Sequence, residues 1–224
     1  MHIVFFRNKN NFGHGPSITL GYNAKAPVEA IVIRNNIIIG QNNALNVYHA
    51  SSLNFSNNLV YAGYVHFNPS VLNALKAKKI ELDANQYFTR RQVGFRLLNY
   101  KDYTLNQWQN AFNIDATSQH ALLSSFNTQP ITKIKQLATS PTVFNVAVVS
   151  KESTKITVDF NGYNLEAGMT YKVYDIENRS TVISHGELNS DFKIEVSMSE
   201  DGFERPLHNL KAVKSAKNFA VFRV

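Results

Sequence analysis

The sequence predicts an all-β protein in which the terminal coils of a parallel β-solenoid are followed by a small C-terminal β-sandwich. Three observations predict this fold class: asparagine pairs recur between short apolar runs in the first third, one well-delimited helix lies in the middle, and the last third consists of short strands separated by turns. We expect coils over residues 1–68, a connecting segment with a short helix over 69–140, and the sandwich over 141–224.

Asparagine pairs mark the repeat in the first third. Asn35-Asn36 and Asn57-Asn58 each separate two apolar runs, and aligning the pairs gives a spacing of 22 residues (57 − 35). Ile33 then aligns with Phe55. A period of roughly 20 to 30 residues, built from short strands with no helix between them, is typical of a β-solenoid, in which stacked coils share one core.

The same pairs predict the corner of each coil. Asparagine tolerates a left-handed backbone and hydrogen-bonds to neighbouring backbone groups, and stacked asparagine amides can form a ladder along the axis. We therefore interpret the pair as a structural corner rather than a chemical site. A further copy is expected at residues 4–8, aligned with residues 31–35 at a spacing of 27 (31 − 4). Since the asparagine pattern stops after Tyr61, the coils are expected to end near Asn68-Pro69.

Two helices are expected in the middle segment. Residues 71–79 favour a short helix whose lysines lie in its last turn, where they complement the helix dipole and form a solvated end. Thr104 and Gln107 form a capping box at the start of the clearer helix. Trp108 lies on the apolar face of that helix, so we expect it to anchor the core rather than to stack on a sugar.

Residues 103–109 and 113–118 resemble a segment of secreted right-handed β-helix repeat proteins. In that family a short helix carrying a tryptophan is followed by a Gly-x-Asp-x-x-Ser stretch, just after the last coils. Asn113 stands where the family often has glycine, and asparagine is the next best residue where φ is positive. The resemblance implies the C-terminal part of a right-handed parallel β-helix, in a family whose characterised relatives include polysaccharide lyases and glycoside hydrolases.

The segment from Pro141 onward is predicted to be wholly β. Its short apolar strands are separated in part by turn residues such as Asn161-Gly162 and Asp201-Gly202, a pattern that indicates a compact sandwich. It looks like the module that closes many secreted carbohydrate-active β-helix proteins. Such a module would cover unpaired strand edges at the end of the solenoid.

Charge and composition narrow the classes of partner. The chain of 224 residues has a net charge of +7, a pI of about 9.5 and no cysteine. The basic residues are spread along the chain, which argues against a nucleic-acid patch and suits either an acidic polysaccharide or solubility alone. Without cysteine there are no disulfides or thiolate metal sites. No stretch is long enough to span a membrane, and a monomer is expected.

The N-terminus lacks the pattern of a secretory signal. It resembles a strand already in progress, so we expect Met1 to lie inside a longer reading frame or to begin a truncated product. For the full-length protein, the family resemblance implies an extracellular or cell-surface location.

The side chains that could bind or act on a polysaccharide in the first third of the chain are basic or aromatic. A glycoside hydrolase needs two facing carboxylic acids, yet residues 1–68 contain one acidic residue, Glu29. A polysaccharide lyase instead needs a base and a group that neutralises a uronate carboxyl, roles that basic residues and tyrosine can fill. The candidate substrate-binding residues are Arg7, His14, Arg34, Tyr48, His49 and Tyr61, with Tyr64 and His66 as further basic and aromatic candidates.

The alternative is that these are solvated residues beside corners, or histidines with a structural role. No catalytic residue is assigned, and no metal-ligand spacing, phosphate loop, nucleophile motif or cofactor is predicted. Three hypotheses follow: the C-terminal part of a carbohydrate-active enzyme, a non-catalytic glycan-binding or surface protein, and a structural solenoid fragment without a ligand.

Overall fold

The computed structural model describes residues 4–6, 17–40, 43–97, 101–126, 129–150, 155–198 and 219–224. The chain divides into two compact units, Met1–Asn127 and Thr128–Val224. Both are built mainly of β-strands, which confirms the all-β class.

Within its described residues, the first unit consists of short strands with two brief α-helices. The strands are β1 (Val4–Phe6), β2 (Ile18–Leu20), β3 (Ile31–Arg34), β4 (Ile37–Ile39), β5 (Asn43–Val47), β6 (Leu53–Ser56), β7 (Leu59–Ala62), β8 (Tyr64–Phe67), β9 (Ile80–Asp83), β10 (Gln86–Thr89), β11 (Phe95–Leu97), β12 (Lys101–Tyr103) and β13 (Gln119–Leu122). The helices are α1 (Leu72–Lys76) and α2 (Leu105–Phe112), with 3₁₀ turns at Pro69–Val71 and Leu123–Ser125.

The chain passes through three sheets in rotation. Sheet 1 has the order β1-β4-β7-β10-β13, sheet 2 the order β12-β11-β8-β5-β2, and sheet 3 the order β3-β6-β9. Every pairing is parallel except that of β11 with β12. We call one passage from a strand of sheet 1 to the next strand of sheet 1 a circuit. Up to β11 successive circuits add one strand to each sheet, after which β12 extends sheet 2 and β13 extends sheet 1.

Inward-facing apolar residues of successive circuits stack to form the core of this unit. On sheet 3, Leu53 pairs with Ile80 and Phe55 pairs with Leu82, and all four side chains are buried. The alternating pattern of exposure along β9 is that of a strand with one face in a core. Removing such apolar surface from water is the main driving force that holds the circuits together.

The asparagine alignment predicted the register of two circuits correctly. Ile33 pairs with Phe55 in sheet 3, as the 22-residue spacing requires. The proposed earlier copy at residues 4–8 was wrong, because Val4 pairs with Ile37 and so belongs to the strand after a corner, not the strand before it. Three apolar residues fit either side of a corner equally well, so composition alone could not place them.

Parallel stacking also continues beyond residue 68, where the sequence prediction placed its end. Strands β9, β10 and β11 pair with β6, β7 and β8, and β13 extends sheet 1 to Leu122. The first unit accordingly runs to Asn127, whereas β14 (Ile131–Leu137) belongs to the second unit. The expected connecting segment is thus divided between the two units.

Each corner begins with a residue in the left-handed region. Asn35 has a φ of 59°, Asn57 of 54° and Ala84 of 53°. The first two confirm the predicted role of the asparagine pair. The third corner is Ala84-Asn85, which explains why a search for paired asparagines ended one circuit too early.

The second residue of each corner forms a buried ladder of amides. Asn36 donates its backbone N–H to Asn58 Oδ1 at 3.0 Å, and Asn58 donates its own to Asn85 Oδ1 at 2.9 Å. The side-chain Nδ2 groups of Asn36 and Asn58 donate to the same two oxygens, each at 3.2 Å. We call Asn36, Asn58 and Asn85 the amide ladder; its formation confirms the structural interpretation of the corners.

The segment after α2 ends the ladder. Asn85 donates its backbone N–H to Ser118 Oγ at 2.9 Å, and Ser118 Oγ donates to Asp115 Oδ1 at 2.6 Å. Trp108 Nε1 donates to the other oxygen of Asp115 at 3.2 Å and is fully buried, as expected of a core anchor. The predicted capping box at Thr104 is present, and Asn113 takes a φ of 53° at the end of α2.

The second unit has two antiparallel sheets. Its strands are β14 (Ile131–Leu137), β15 (Ser140–Val149), β16 (Lys155–Asp159), β17 (Thr170–Asp175), β18 (Asn178–Glu187), β19 (Lys193–Ser197) and β20 (Phe219–Arg223). The order β14-β15-β20-β17-β18 forms one sheet, and β16-β19 forms the other. Apolar residues of both sheets share a single core. Within the described ranges, no helix has the length and hydropathy to cross a membrane.

Replacing Asn85 by alanine should destabilise the first unit by about 3 kcal/mol, because the buried N–H of Asn58 then loses its acceptor and Phe55 O loses its donor. The matched control is Asn54→Ala, which also removes side-chain bonds to two neighbouring circuits, but at the surface, and should cost less than about 1 kcal/mol. Denaturant unfolding followed by the fluorescence of the single tryptophan, Trp108, measures both. If the two variants lost equal amounts of unfolding free energy, the result would contradict a structural role of the ladder.

Candidate functional site

The predicted binding residues that the structure describes do not form one site. Arg34 is exposed on sheet 3, where its Nε donates to Asn54 Oδ1 at 3.0 Å. Tyr61 lies on sheet 1, and its ring packs against Phe126 with centroids 4.8 Å apart. Arg7 and His14 lie outside the described residues.

Tyr48 and His49 lie together in the turn that follows β5. Tyr48 donates its N–H to Leu20 O of the preceding circuit at 2.9 Å. The turns stack closely: a Cβ on Gly21 would lie 1.9 Å from the carbonyl oxygen of His49. Glycine is therefore required at position 21, where φ is +74°.

Ser70 fixes the orientation of the His49 ring. Its hydroxyl donates to Tyr48 O at 2.5 Å and lies 3.1 Å from His49 Nδ1. Because the hydroxyl has one hydrogen and gives it to the carbonyl, it accepts the hydrogen of Nδ1. In the neutral ring, Nε2 is then the unprotonated nitrogen and is able to accept a hydrogen bond.

A cleft of about 490 Å³ opens beside this turn. Its polar lining includes His49, Ser70, Asn73 and Lys79, whereas small residues, among them Ala24 and Ala77, form much of the remaining wall. We call it the turn cleft. Its volume is within the roughly 300–1,000 Å³ range of small-molecule sites.

The surroundings of the turn cleft are cationic. Lys79 lines it, and Lys76 and Lys78 lie beside Ala77 on the exposed end of α1. None of the described residues that line it is acidic. The lysines that the sequence suggested to be a solvated helix end thus include one that faces a cleft together with a predicted candidate, His49.

Two tyrosines are exposed in the stacked turns that follow β2 and β5. Tyr22 is fully exposed and Tyr48 is 37% exposed. Because Leu20 pairs with Val47, both tyrosines follow the same ends of adjacent strands. Exposed tyrosine is amphipathic: its ring face can pack on an apolar surface while its hydroxyl stays in water.

A second polar cluster lies on sheet 2, around His66 and Tyr64. Arg96 and Asp102 form a bidentate ion pair, with both N–O distances 2.5 Å, and the Arg96 guanidinium lies 4.3 Å from the centre of the Tyr64 ring. Sequence reasoning included Tyr64 and His66 but missed Arg96 and Asp102. The alternation of apolar and polar residues in Phe95-Arg96-Leu97 could have predicted that Arg96 faces outward. It could not have predicted that Asp102 is its partner.

The cluster on sheet 2 has the properties of a structural arrangement. Burial, and after it the nearby Arg96, lowers the pKa of His66 to about 4, whereas Asp102 acts in the opposite direction. The positive charge of Arg96 is matched by Asp102, whose pKa the guanidinium lowers. His66 Nε2 and Asn46 Oδ1 are buried without a partner among the described residues. A base in this position would be both weak and shielded from substrate.

Comparisons with known proteins give no relative: no family model, no curated protein and no solved structure matches the chain. Over the part of the chain that the structure describes, no group of three or more histidine or acidic side chains is placed to hold a metal ion.

His66 should make the stability of the first unit depend on pH. Its folded-state pKa of about 4 lies below the usual 6.5, so the unfolded chain binds more protons between these values. The free energy of unfolding should therefore fall as the pH is lowered from 6.5 to about 4, by at most about 3 kcal/mol. His66→Gln should remove this part of the dependence.

The measurement is the difference in unfolding free energy between the wild type and His66→Gln, followed through Trp108 at pH 7 and pH 4.5. The control is His185→Gln, at an exposed position of the second unit. Its unfolding free energy should change between the two pH values by the same amount as that of the wild type. A His66→Gln profile that coincides with the wild type would show that His66 is not the titrating group.

Proposed function

We propose that this chain binds an acidic polysaccharide in the turn cleft, and that its first unit consists of the terminal coils of a right-handed parallel β-helix from a secreted or cell-surface protein. A single observation carries the functional proposal: Lys79 and His49 line a cleft among whose described lining residues there is no carboxylate. The second unit is interpreted as a small β-sandwich that follows these coils.

Two features support the architectural part of the proposal. The chain visits three sheets in rotation, with parallel pairing between circuits. The amide ladder joins equivalent corners of these circuits. Both are expected of a parallel solenoid whose corners are in register.

Three features support an acidic glycan as the ligand. The ammonium group of Lys79 and the neighbouring lysines of α1 attract carboxylate groups. The polar side chains of Ser70 and Asn73 suit hydroxyl groups, because hydroxyls both donate and accept hydrogen bonds. The exposed rings of Tyr22 and Tyr48 offer flat surfaces on which the apolar face of a sugar ring can stack.

Polysaccharide lyase activity is the second candidate function, and the orientation of the His49 ring favours it. Since Nδ1 donates to Ser70, Nε2 is left as the nitrogen that could take the proton beside a uronate carboxyl. The electrons of that C–H bond would form a carbon–carbon double bond while the adjacent bond to the glycosidic oxygen breaks, and the leaving oxygen would take a proton from water. Lys79 would neutralise that carboxyl. Binding is the better-supported function, because it needs only the charge and shape of the cleft.

Lys79→Gln should weaken binding to polygalacturonate by about 5-fold at low salt, which corresponds to roughly 1 kcal/mol. The matched control is Lys135→Gln on β14, an exposed lysine of the second unit whose replacement changes the net charge equally. Calorimetric titration at low and high salt measures both variants, and added salt should reduce the difference.

Equal weakening by both variants would mean that net charge alone attracts the polymer and would overturn the assignment of the turn cleft. New ultraviolet absorbance from unsaturated ends would establish the lyase. In that case His49→Gln should abolish the absorbance while retaining most of the binding, because glutamine can still donate a hydrogen bond but cannot act as the base.

A further inference from the structure

A second cleft lies in the first unit, at the start of α2. Its volume is about 630 Å³, and it is formed by the loop before β11, the first turns of α2 and the strand β13. The polar residues that line it include Gln92, Thr104, Asn106, Gln109, Gln119 and His120. None of the described lining residues carries a formal charge at neutral pH. We call it the amide cleft.

Three carboxamides of the amide cleft are available to a ligand. Gln92, Asn106 and Gln119 are exposed, and their side chains have no hydrogen-bond partner among the described residues. Gln109 uses its Nε2 to donate to Asp115 O at 2.6 Å, which leaves its Oε1 as an acceptor. The cleft therefore presents both donors and acceptors.

The hydrogen bond of His120 fixes which nitrogen of its ring is protonated. Thr89 Oγ1 lies 2.7 Å from His120 Nε2 and donates its single hydrogen to Arg91 O, also at 2.7 Å. Nε2 must therefore carry a hydrogen and donate to Thr89. Burial lowers the pKa of His120, so the ring is neutral at pH 7 and its Nδ1 is an acceptor.

The walls of the amide cleft are held in place by the core. The capping box at Thr104 fixes the first turn of α2, and Ser118, Gln109 and Trp108 all bond to Asp115. Gly94 lets the adjacent loop approach Thr89, because a Cβ there would lie 2.2 Å from Thr89 Oγ1. Because the walls are fixed before binding, only the exposed carboxamide side chains have to be ordered when a ligand enters.

From this chemistry we infer that the amide cleft binds a neutral, hydroxyl-rich ligand, namely a neutral sugar residue. Each sugar hydroxyl can donate to one carboxamide oxygen and accept from another amide N–H. An anionic ligand would meet no cation in the lining, and an apolar ligand would bury the carboxamides without partners. The site is separate in chemistry and in residues from the turn cleft, and it does not depend on the function proposed there.

The test is a titration of the full chain with neutral oligosaccharides, namely those of cellulose, xylan and mannan, followed by NMR of the His120 ring and by calorimetry. At least one should bind with a shift of the His120 resonances and with an affinity that does not depend on salt. Gln119→Ala should weaken this binding by about 3- to 10-fold, through loss of one hydrogen-bonding group.

Gln86→Ala is the matched control, because Gln86 is an exposed glutamine that pairs with Gln119 in sheet 1 but does not line the cleft. It should leave binding unchanged, as should Lys79→Gln, which tests the turn cleft alone. Absence of binding at millimolar ligand, equal effects of Gln119→Ala and Gln86→Ala, or salt-sensitive binding of an acidic oligosaccharide at His120 would each overturn the inference.

Discussion

Hydrogen bonds between buried asparagine side chains tie each circuit of the first unit to the next. Asn58 Oδ1 accepts from Asn36 in the preceding circuit, and its Nδ2 donates to Ile33 O in that circuit and to Asn85 Oδ1 in the next, so one side chain bonds to the circuits on both sides. A buried amide left without these partners would cost about 1–3 kcal/mol for each group. Consequently the position allows little variation, whereas the preceding left-handed residue can be asparagine or alanine, as at Asn57 and Ala84.

A ladder of this kind needs an end that satisfies its last donor, and Asp115 provides it through Ser118. Burial raises the pKa of Asp115, while hydrogen bonds from Ser118, Asn85, Tyr87 and Trp108 act against that rise. The buried oxygens are acceptable in the core because four donors converge on them. The same carboxyl thereby joins the ladder to helix α2, so the end of the stack and the wall of the amide cleft form one hydrogen-bonded network.

The sequence predicted the structural features that depend on residues close together in the chain. It missed the features that arise when strands of different circuits pair. The corners at Asn35 and Asn57, the capping box at Thr104 and the buried Trp108 all follow from short-range rules. The corner at Ala84 was missed because the search required two asparagines, whereas the ladder needs only the second residue of the corner, Asn85, to be asparagine. Of the predicted site residues, His49 lines a cleft, with Tyr48 next to it in the chain, but Lys79 joins His49 there only because β9 stacks on β6. The lining of the amide cleft comes from three distant segments, a juxtaposition that no local pattern encodes.

The lengths of the circuits explain where the clefts arise. From Asn36 to Asn58 the chain advances 22 residues, from Asn58 to Asn85 it advances 27, and from Asn85 to Ser118 it advances 33. The ladder keeps the corners in register, so the 5 additional residues (27 − 22) and 11 additional residues (33 − 22) must protrude elsewhere. The second circuit carries α1, which supplies Asn73 and Ala74 to the turn cleft. The third circuit carries β12 and α2, which supply Asn106 and Gln109 to the amide cleft. Inward strand positions are committed to the core, so variation in binding chemistry falls on these insertions and on outward-facing positions such as His49 and Gln119. In the third circuit, the residues of the insertion that bond to Asp115 are an exception, because they also hold the end of the ladder.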